Sequence, residues 1–314
     1  MKAIVINQFG NADTFYETEL PQTQITPDTV AVAINAFSIN PMDIAARAGY
    51  LQSPFTDNWT FPLVLGWDFS GTITQVGQNV TKYHIGDQVF GTLPSNHAGN
   101  AGSYAETAVV DPASISTIPA GMSVDQAAAL PIAGGTAYQA IAQNLNVHPN
   151  ETILIQGGAG GVGLFAVQIA KSRGAKVITT ASPAHTALLQ QVGADQVIDY
   201  HTTAVSDVLS SVDAVFDTVG DIAGGLTVLK PGGKLVTVGG QPTPEQLALP
   251  DKSVSFQFSH SDTAVFDGLI TLFTNDQLHI EVQSLPFTAE NVVKAHQIIE
   301  SHHTTGKLVI HITD

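Results

Sequence analysis

The chain has no cysteine among its 314 residues. Disulfides are excluded, and so is any metal site built on thiolates. Positive charge is scarce: 11 Lys and Arg face 27 Asp and Glu, a net charge of −16. Nucleic acids and anionic membranes need a basic surface, which this composition does not supply. Charged residues of both signs make up only 12% and hydrophobic residues 44%, which argues against disorder and for large cores. No run approaches the roughly 18 apolar residues of a membrane span. The segment from Met1 to Gly10 reads as a short strand with one lysine and lacks the apolar core of a signal peptide. A cytoplasmic location fits these absences. Repeats and low-complexity tracts are also missing, and the length predicts about two domains.

What the chain does have is glycine, 28 residues of it, and the informative cluster lies in residues 152–176. Thr152-Ile-Leu-Ile-Gln156 is apolar and β-branched, as suits a strand covered on both faces. Gly158, Gly160 and Gly163 follow at G-x-G-x-x-G spacing. Leu164, Val167, Gln168 and Lys171 recur at helical spacing before a stop at Gly174. A strand, a glycine turn and a helix in that order give the motif its meaning. Bare backbone admits a pyrophosphate, and the N–H groups of Gly161, Val162 and Gly163 are placed to receive its oxygens at the positive end of a helix. The alternative is a turn that packs tightly and binds nothing.

Either side of this stretch the rhythm differs. Residues 2–6, 30–36, 68–76, 88–93 and 104–110 are strand patterns separated by Gly, Pro, Asn and Asp. Residues 41–48 predict a short helix with Asn40 as N-cap and Pro41 in its first turn. Residues 51–62 read as a surface loop. Ser123 and Gln126 form a capping-box pattern before an alanine-rich helix, which Pro131 is expected to end. A second helix is expected from Gly134-Gly135 through Ala142. From residue 152, six strands alternate with helices, which predicts a parallel, doubly wound sheet. A last strand over residues 307–312 is expected to return to the first domain.

The end of the second strand of this sheet bears on cofactor choice. An NAD site places Asp or Glu there to hold the ribose hydroxyls, about 20 residues beyond the glycines. Here the strand ends Thr179-Thr180-Ala181-Ser182-Pro183, with no acid. An acid would repel a 2′-phosphate, so its absence favours NADPH. Ser182 can donate to that phosphate or cap the next helix. Tyr200 is a second donor at the neighbouring strand end. No Lys or Arg follows Ser182 closely; only His185 is near.

Motifs along the chain carry a resemblance. They include Asn40-Pro-Met-Asp43 with Arg47 and Gly49, Gly66-Trp-Asp68-Phe-Ser-Gly71, Gly86-Asp87, Gly102-Ser-Tyr104-Ala-Glu106, Gly135-Thr136-Ala-Tyr138, Gly158-Ala-Gly-Gly-Val-Gly163, Asp217-Thr-Val-Gly220 and Gly306-Lys307. In this order they resemble the zinc-free quinone oxidoreductase (zeta-crystallin-like) branch of the medium-chain dehydrogenase/reductase superfamily. The resemblance implies an α/β protein with a β-rich, chaperonin-10-like (GroES-like) catalytic domain over residues 1–121 and 259–314. It implies an inserted Rossmann NADPH-binding domain over residues 122–258, with the cofactor in the cleft. It also implies a homodimer paired through the last Rossmann strand, over residues 254–258. Zinc-dependent relatives place ligands at positions matched here by Asn40, Trp67-Asp68 and Ile132, and these cannot form a three-ligand site with an open fourth position. No metal site is expected.

Without a Lewis acid the acceptor must already be electrophilic. The expected reaction is hydride transfer from NADPH to a quinone or an α,β-unsaturated carbonyl. Hydrogen-bond donors must then meet the developing oxyanion. Asn40 and Tyr50 are the candidates, although Asn40 can also be only a helix cap and Tyr50 only loop packing. The resemblance places Thr136, Val219 and Gly239 beside the nicotinamide half. Two further readings stay open: a zinc-free enzyme acting on another carbonyl or alcohol, and a non-catalytic NADPH-binding protein.

Overall fold

The first strands build a β-rich unit, as their punctuation predicts. They are β1 (Lys2–Ile6), β2 (Tyr16–Glu19), β3 (Val30–Ser38), β4 (Leu63–Val64), β5 (Asp68–Val76), β6 (Gln88–Thr92), β7 (Thr107–Val110) and β8 (Ile115–Thr117). A parallel set follows: β9 (Thr152–Gln156), β10 (Lys176–Ala181), β11 (Gln196–Asp199), β12 (Val212–Asp217), β13 (Leu229–Thr237) and β14 (Ser253–Phe256). The chain ends with β15 (Val282–Pro286) and β16 (Lys307–His311). This is a computed structural model, and it describes residues 1–51, 56–57, 59–94, 97, 99, 101–258 and 262–312. Parts of the expected loops over 51–62 and 94–103, and the expected domain junction at 259, lie outside the described residues.

The chain divides into two units. The first comprises Met1–Ile132, Ser261–Asp267 and Ile280–Asp314; the second comprises Ala133–His260 and Gly268–His279. In the first, β16 pairs antiparallel with β3 (Val309 opposite Ser38), so the last strand does rejoin the N-terminal sheet. The sheet order is β15-β16-β3-β5-β6-β8, with β7 also on β3. Its core holds Phe37, Trp67, Phe69 and Tyr104, all fully buried or nearly so. Burying a large apolar side chain contributes roughly 1.5–3 kcal/mol, so this cluster holds the β-rich unit together.

In the second unit the sheet order is β11-β10-β9-β12-β13-β14, every pairing parallel. This is the doubly wound arrangement that the alternation of strand and helix predicts. The core gathers Leu154, Ile178, Val215 and Leu235 from four of the strands.

Two expectations change, and three short strands, β2, β4 and β8, were not foreseen. Pro131 does not end a helix but begins one, Pro131–Tyr138, continued in π-helical form by Gln139–Asn144. Proline lacks only an N–H that the first turn leaves unused, so it fits there. The strand expected from residue 104 starts at Thr107, because Tyr104 turns to β1 instead: the Ile4 N–H donates to the Tyr104 carbonyl at 2.8 Å. Strand β2 escaped notice because its sequence, Tyr-Glu-Thr-Glu, offers charged residues on one face and little apolar signal.

Candidate functional site

In the second unit the strand order reverses between β9 and β12, and open parallel sheets bind ligands at the carboxyl ends of strands flanking such a switch. Strand β9 leads through Gly157 and Gly158 to Gly160, the N-cap of the helix Gly161–Ser172. Gly160 has no side chain to cap the first turn, so the N–H groups of Gly161, Val162 and Gly163 have no side-chain acceptor from it.

The glycines here are glycine for different reasons. A Cβ at Gly158 would fall 2.0 Å from Thr179 Oγ1, and one at Gly163 would fall 2.1 Å from the Gly157 carbonyl oxygen. Protein atoms forbid a side chain at both. A Cβ at Gly160 would meet only the Gly157 oxygen, at 3.7 Å. The fold makes no demand there, and the bare position leaves a cradle at the helix N-terminus that fits a phosphate.

Across the switch, β12 ends in the fully buried Asp217. Asp217 Oδ1 accepts from the N–H groups of Val219 (3.0 Å), Gly220 (2.9 Å) and Asp221 (3.2 Å). Val219 stands 59% exposed at this strand end. Gly239 packs against it: a Cβ there would fall 2.3 Å from the Gly220 nitrogen. Thr136 is buried in the helix Pro131–Tyr138, and its carbonyl accepts from Gln257 Nε2 at 2.9 Å.

Ser182 follows β10, half-buried, with Oγ 2.9 Å from His185 Nδ1. It occupies the N-cap position of a short 3-10 turn, but its side chain makes no capping bond. Tyr200 is 56% exposed and stacks on His201, ring centroids 4.1 Å apart. The sequence reading missed one neighbour, Asp199, which lies in register with Ala181. Its carboxylate accepts from the His201 N–H and Thr202 Oγ1 and lies 2.8 Å from His201 Nδ1. The His201 bonds hold its pKa below the usual carboxylate range.

The first unit holds a buried polar network. Asn40 is 2% exposed, and Tyr50 is 80% exposed beyond the other end of the helix Pro41–Arg47. That helix separates the two by about 10 Å of rise. Asn40 takes the N-cap position, but its carboxamide does not cap. Its Oδ1 accepts from Lys307 Nζ at 2.5 Å, and its Nδ2 donates to Asp68 Oδ2 at 2.8 Å. Asp68 also accepts from Ser38 Oγ (2.7 Å) and the Ile132 N–H (3.0 Å). Asp43 accepts from the Asn40 N–H at 2.6 Å. Arg47 Nη1 lies 3.3 Å from His296 Nδ1. A guanidinium only donates, so the imidazole proton sits on Nε2 and goes to the Tyr104 hydroxyl, 3.0 Å away. The sequence reading did not single out Asp43 or Lys307 for the site and took Asp68 only as a match to a zinc-ligand position.

Burial governs the charges in this network. It pushes Asp43 up to about 7, with Asp68 adding repulsion, and it raises Asp68 against the pull of Lys307. Burial also keeps His296 neutral, well below the usual histidine range. A carboxyl whose folded pKa exceeds its unfolded value keeps a proton that the unfolded chain has released. Its stabilising contribution is full below the ordinary carboxylate range and fades as pH rises towards about 7. His296 acts oppositely, and only below about pH 6.5, where the unfolded imidazole gains its proton. The stability of the wild type relative to Asp43→Asn should therefore fall between pH 5 and pH 8. Urea melts across that range give the difference, and a pH-independent one would contradict the assignment.

The first unit also carries a cavity of about 260 Å³ lined by Phe9, Leu51, Trp59, Phe61 and Leu63 among others. Phe9 and Phe61 meet edge to face at 5.2 Å. Among the described residues no cluster of His, Asp or Glu could hold a metal ion, and no helix is long and apolar enough to cross a membrane.

Two family models match the chain. An alcohol dehydrogenase GroES-like domain covers residues 26–120, and a zinc-binding dehydrogenase domain covers residues 192–310. A 2-methylene-furan-3-one reductase of Solanum lycopersicum is 31% identical over 99% of this chain and 79% of its own length. An NADPH-dependent alkenal/one oxidoreductase of Arabidopsis thaliana, a chloroplastic protein, is 29% identical over the same shares. The solved quinone oxidoreductase of Coxiella burnetii superposes with a TM-score of 0.90 at 33% identity, covering 100% of this chain and 99% of that one.

Proposed function

Because this chain belongs to the quinone oxidoreductase branch of the medium-chain dehydrogenase/reductase superfamily, we propose that it reduces quinones or α,β-unsaturated carbonyls with NADPH and without zinc. Bound reduced nicotinamide supplies a hydride. The chain's own residues bind, orient and donate protons. Gly158, Gly160 and Gly163 open the turn to the pyrophosphate, which the N–H groups of Gly161, Val162 and Gly163 receive. Ser182 and Tyr200 offer hydroxyls to the 2′-phosphate, while the Asp199 carboxylate is engaged by His201 and Thr202. Thr136, Val219 and Gly239 border the nicotinamide half.

The state of Asp68 is the observation that carries the zinc-free reading. Zinc-dependent members place ligands at the positions of Asn40, Trp67 and Ile132, none of which suits zinc here. Asp68 between them accepts three hydrogen bonds and lies in the field of the buried Lys307 ammonium. With no Lewis acid to polarise a carbonyl or ionise an alcohol, the acceptor must be electrophilic already. The aromatic cavity suits a planar, conjugated molecule. Tyr50 is the accessible proton donor. Asn40 has one remaining amide N–H to offer. The edge strand β14, beside the 55% exposed Phe258, is where a second copy would pair.

A panel of quinones, short enones, saturated aldehydes and alcohols, followed by NADPH or NADH absorbance, tests the reading. Turnover with quinones or enones, faster with NADPH and insensitive to chelators, is expected. Alcohol oxidation, an NADH preference or stoichiometric zinc would overturn it.

A further inference from the structure

The carboxylate of Asp217 has no place in the chemistry above, yet it is fully buried at the carboxyl end of β12. Its bonds reach two separate strand ends. Oδ1 gathers the successive N–H groups of Val219, Gly220 and Asp221, at 2.9–3.2 Å. Oδ2 accepts from Thr237 Oγ1, near the end of β13, at 2.7 Å. Thr237 Oγ1 in turn accepts from the Gly239 N–H at 3.2 Å and lies 3.4 Å from the Gly240 carbonyl oxygen. One carboxylate thus ties the turn after β12 to the turn after β13. The two turns are otherwise in bare backbone contact, since neither Gly220 nor Gly239 has a side chain to lock it. Hydrogen bonds to an ionised acceptor are about twice as strong as neutral ones. The turn beyond Asp217 is pinned a second time: Asp221 caps the helix Ile222–Val228 through the Gly224 N–H and accepts from Gln156 Nε2.

We propose that Asp217 is a positioning residue for the nicotinamide half of the cofactor, holding the β12 and β13 turns as one rigid wall through its own charge. The inference rests on the proposed assignment of Val219 and Gly239 to that half. The β12 turn meets the glycine turn at Gly157, where a Cβ would fall 2.6 Å from Thr218 Oγ1 and Val219 Cγ1, but the carboxylate itself bonds only Val219, Gly220, Asp221 and Thr237, so it should act chiefly on the nicotinamide half of the ligand. A residue needed merely for folding would weaken both halves together.

Asp217→Asn keeps the size of the side chain and removes its charge. Thr237→Val removes one arm of the clasp and leaves the carboxylate. Isothermal titration of NADPH and of 2′-phospho-ADP-ribose, which lacks the nicotinamide, reads the two halves separately. Removing the charge weakens all four of its hydrogen bonds, so Asp217→Asn should weaken NADPH about tenfold or more while the fragment stays within about twofold. Thr237→Val should show the same split with a smaller amplitude. Equal loss of both ligands, or unchanged NADPH binding in both variants, overturns the inference. If Asp217→Asn fails to fold, the split in Thr237→Val decides alone. A wild type that binds NADPH but reduces no acceptor would overturn the proposed function without touching this result.

Discussion

Replacing Lys307 with methionine is expected to cost about 3–5 kcal/mol of unfolding free energy, the scale set by leaving buried charges without their compensating partner. Lys307 is buried, and its ammonium donates to the Ile39 carbonyl at 3.0 Å and to Asn40 Oδ1 at 2.5 Å. Burial lowers its pKa, and Asp68 and Asp43 hold it up. Methionine keeps the side chain out to Cε and most of its packing, so the loss reports mainly charge and hydrogen bonding. Two buried carboxyls are then left with no cation beside them. They must take up protons or bear the desolvation penalty, so the loss should grow as pH rises through the range where Asp43 ionises, near 7. Adding Asp68→Asn to Lys307→Met removes one stranded acid and should recover part of the loss. Chemical denaturation of the two variants at pH 6 and pH 8 measures both effects. A loss below about 1 kcal/mol, as for an exposed pair, would show that the network is not closed to water.

That network also shows where the sequence stopped being legible. The second unit was readable almost element by element, because local signals agree there. An apolar, β-branched run, a glycine turn and a helix each have a period or a breaker of their own, and six such units imply a parallel, doubly wound sheet. Gly158, Gly160 and Gly163 could be placed before any coordinate, since their spacing reflects backbone geometry. The first unit yielded its longer strands but not β2, β4 or β8, and not its chemistry. Asn40 was legible as an N-cap and as a polar candidate, yet its side chain turns away from the helix to meet Asp68 and Lys307. Those residues lie 28 and 267 positions along the chain from it. No window over the sequence brings β16 beside β3, so a charge that answers Asp68 from the far end of the chain has no local trace. His296 and Arg47, 249 residues apart, are hidden for the same reason. Asp199 was missed differently: it sits next to the singled-out Tyr200, but only the parallel register of β10 and β11 sets it opposite Ala181. Pro131 was misread because a proline ends one helix and begins another with the same restrictions on φ and donor.

The glycine turn gives the second large effect, and it separates a demand of the fold from a demand of the ligand. Gly163→Ala puts a methyl group 2.1 Å from the Gly157 carbonyl oxygen and 2.8 Å from Gly158 Cα. Both are backbone atoms of the turn, so the helix must shift away from β9. Overpacking of this kind costs about 1–3 kcal/mol, and the variant should lose stability even without cofactor. Gly160→Ala puts its methyl group in open space, 3.7 Å from the nearest oxygen, at a residue with φ −69° and ψ 169°, which alanine adopts freely. Its stability without ligand should stay within about 0.5 kcal/mol of the wild type, as for substitutions away from packed features. If the cradle receives the pyrophosphate, that methyl group displaces it from the helix N–H groups. Loss of several charge-assisted bonds then weakens NADPH by about a hundredfold. Thermal melts of the free proteins, set beside titrations with NADPH, distinguish the two variants. A Gly160→Ala protein that melts and binds like the wild type would show that the cradle is only a shape left by the turn. A Gly163→Ala protein of unchanged stability would show that the strand, turn and helix are not packed as tightly as the 2.1 Å approach requires.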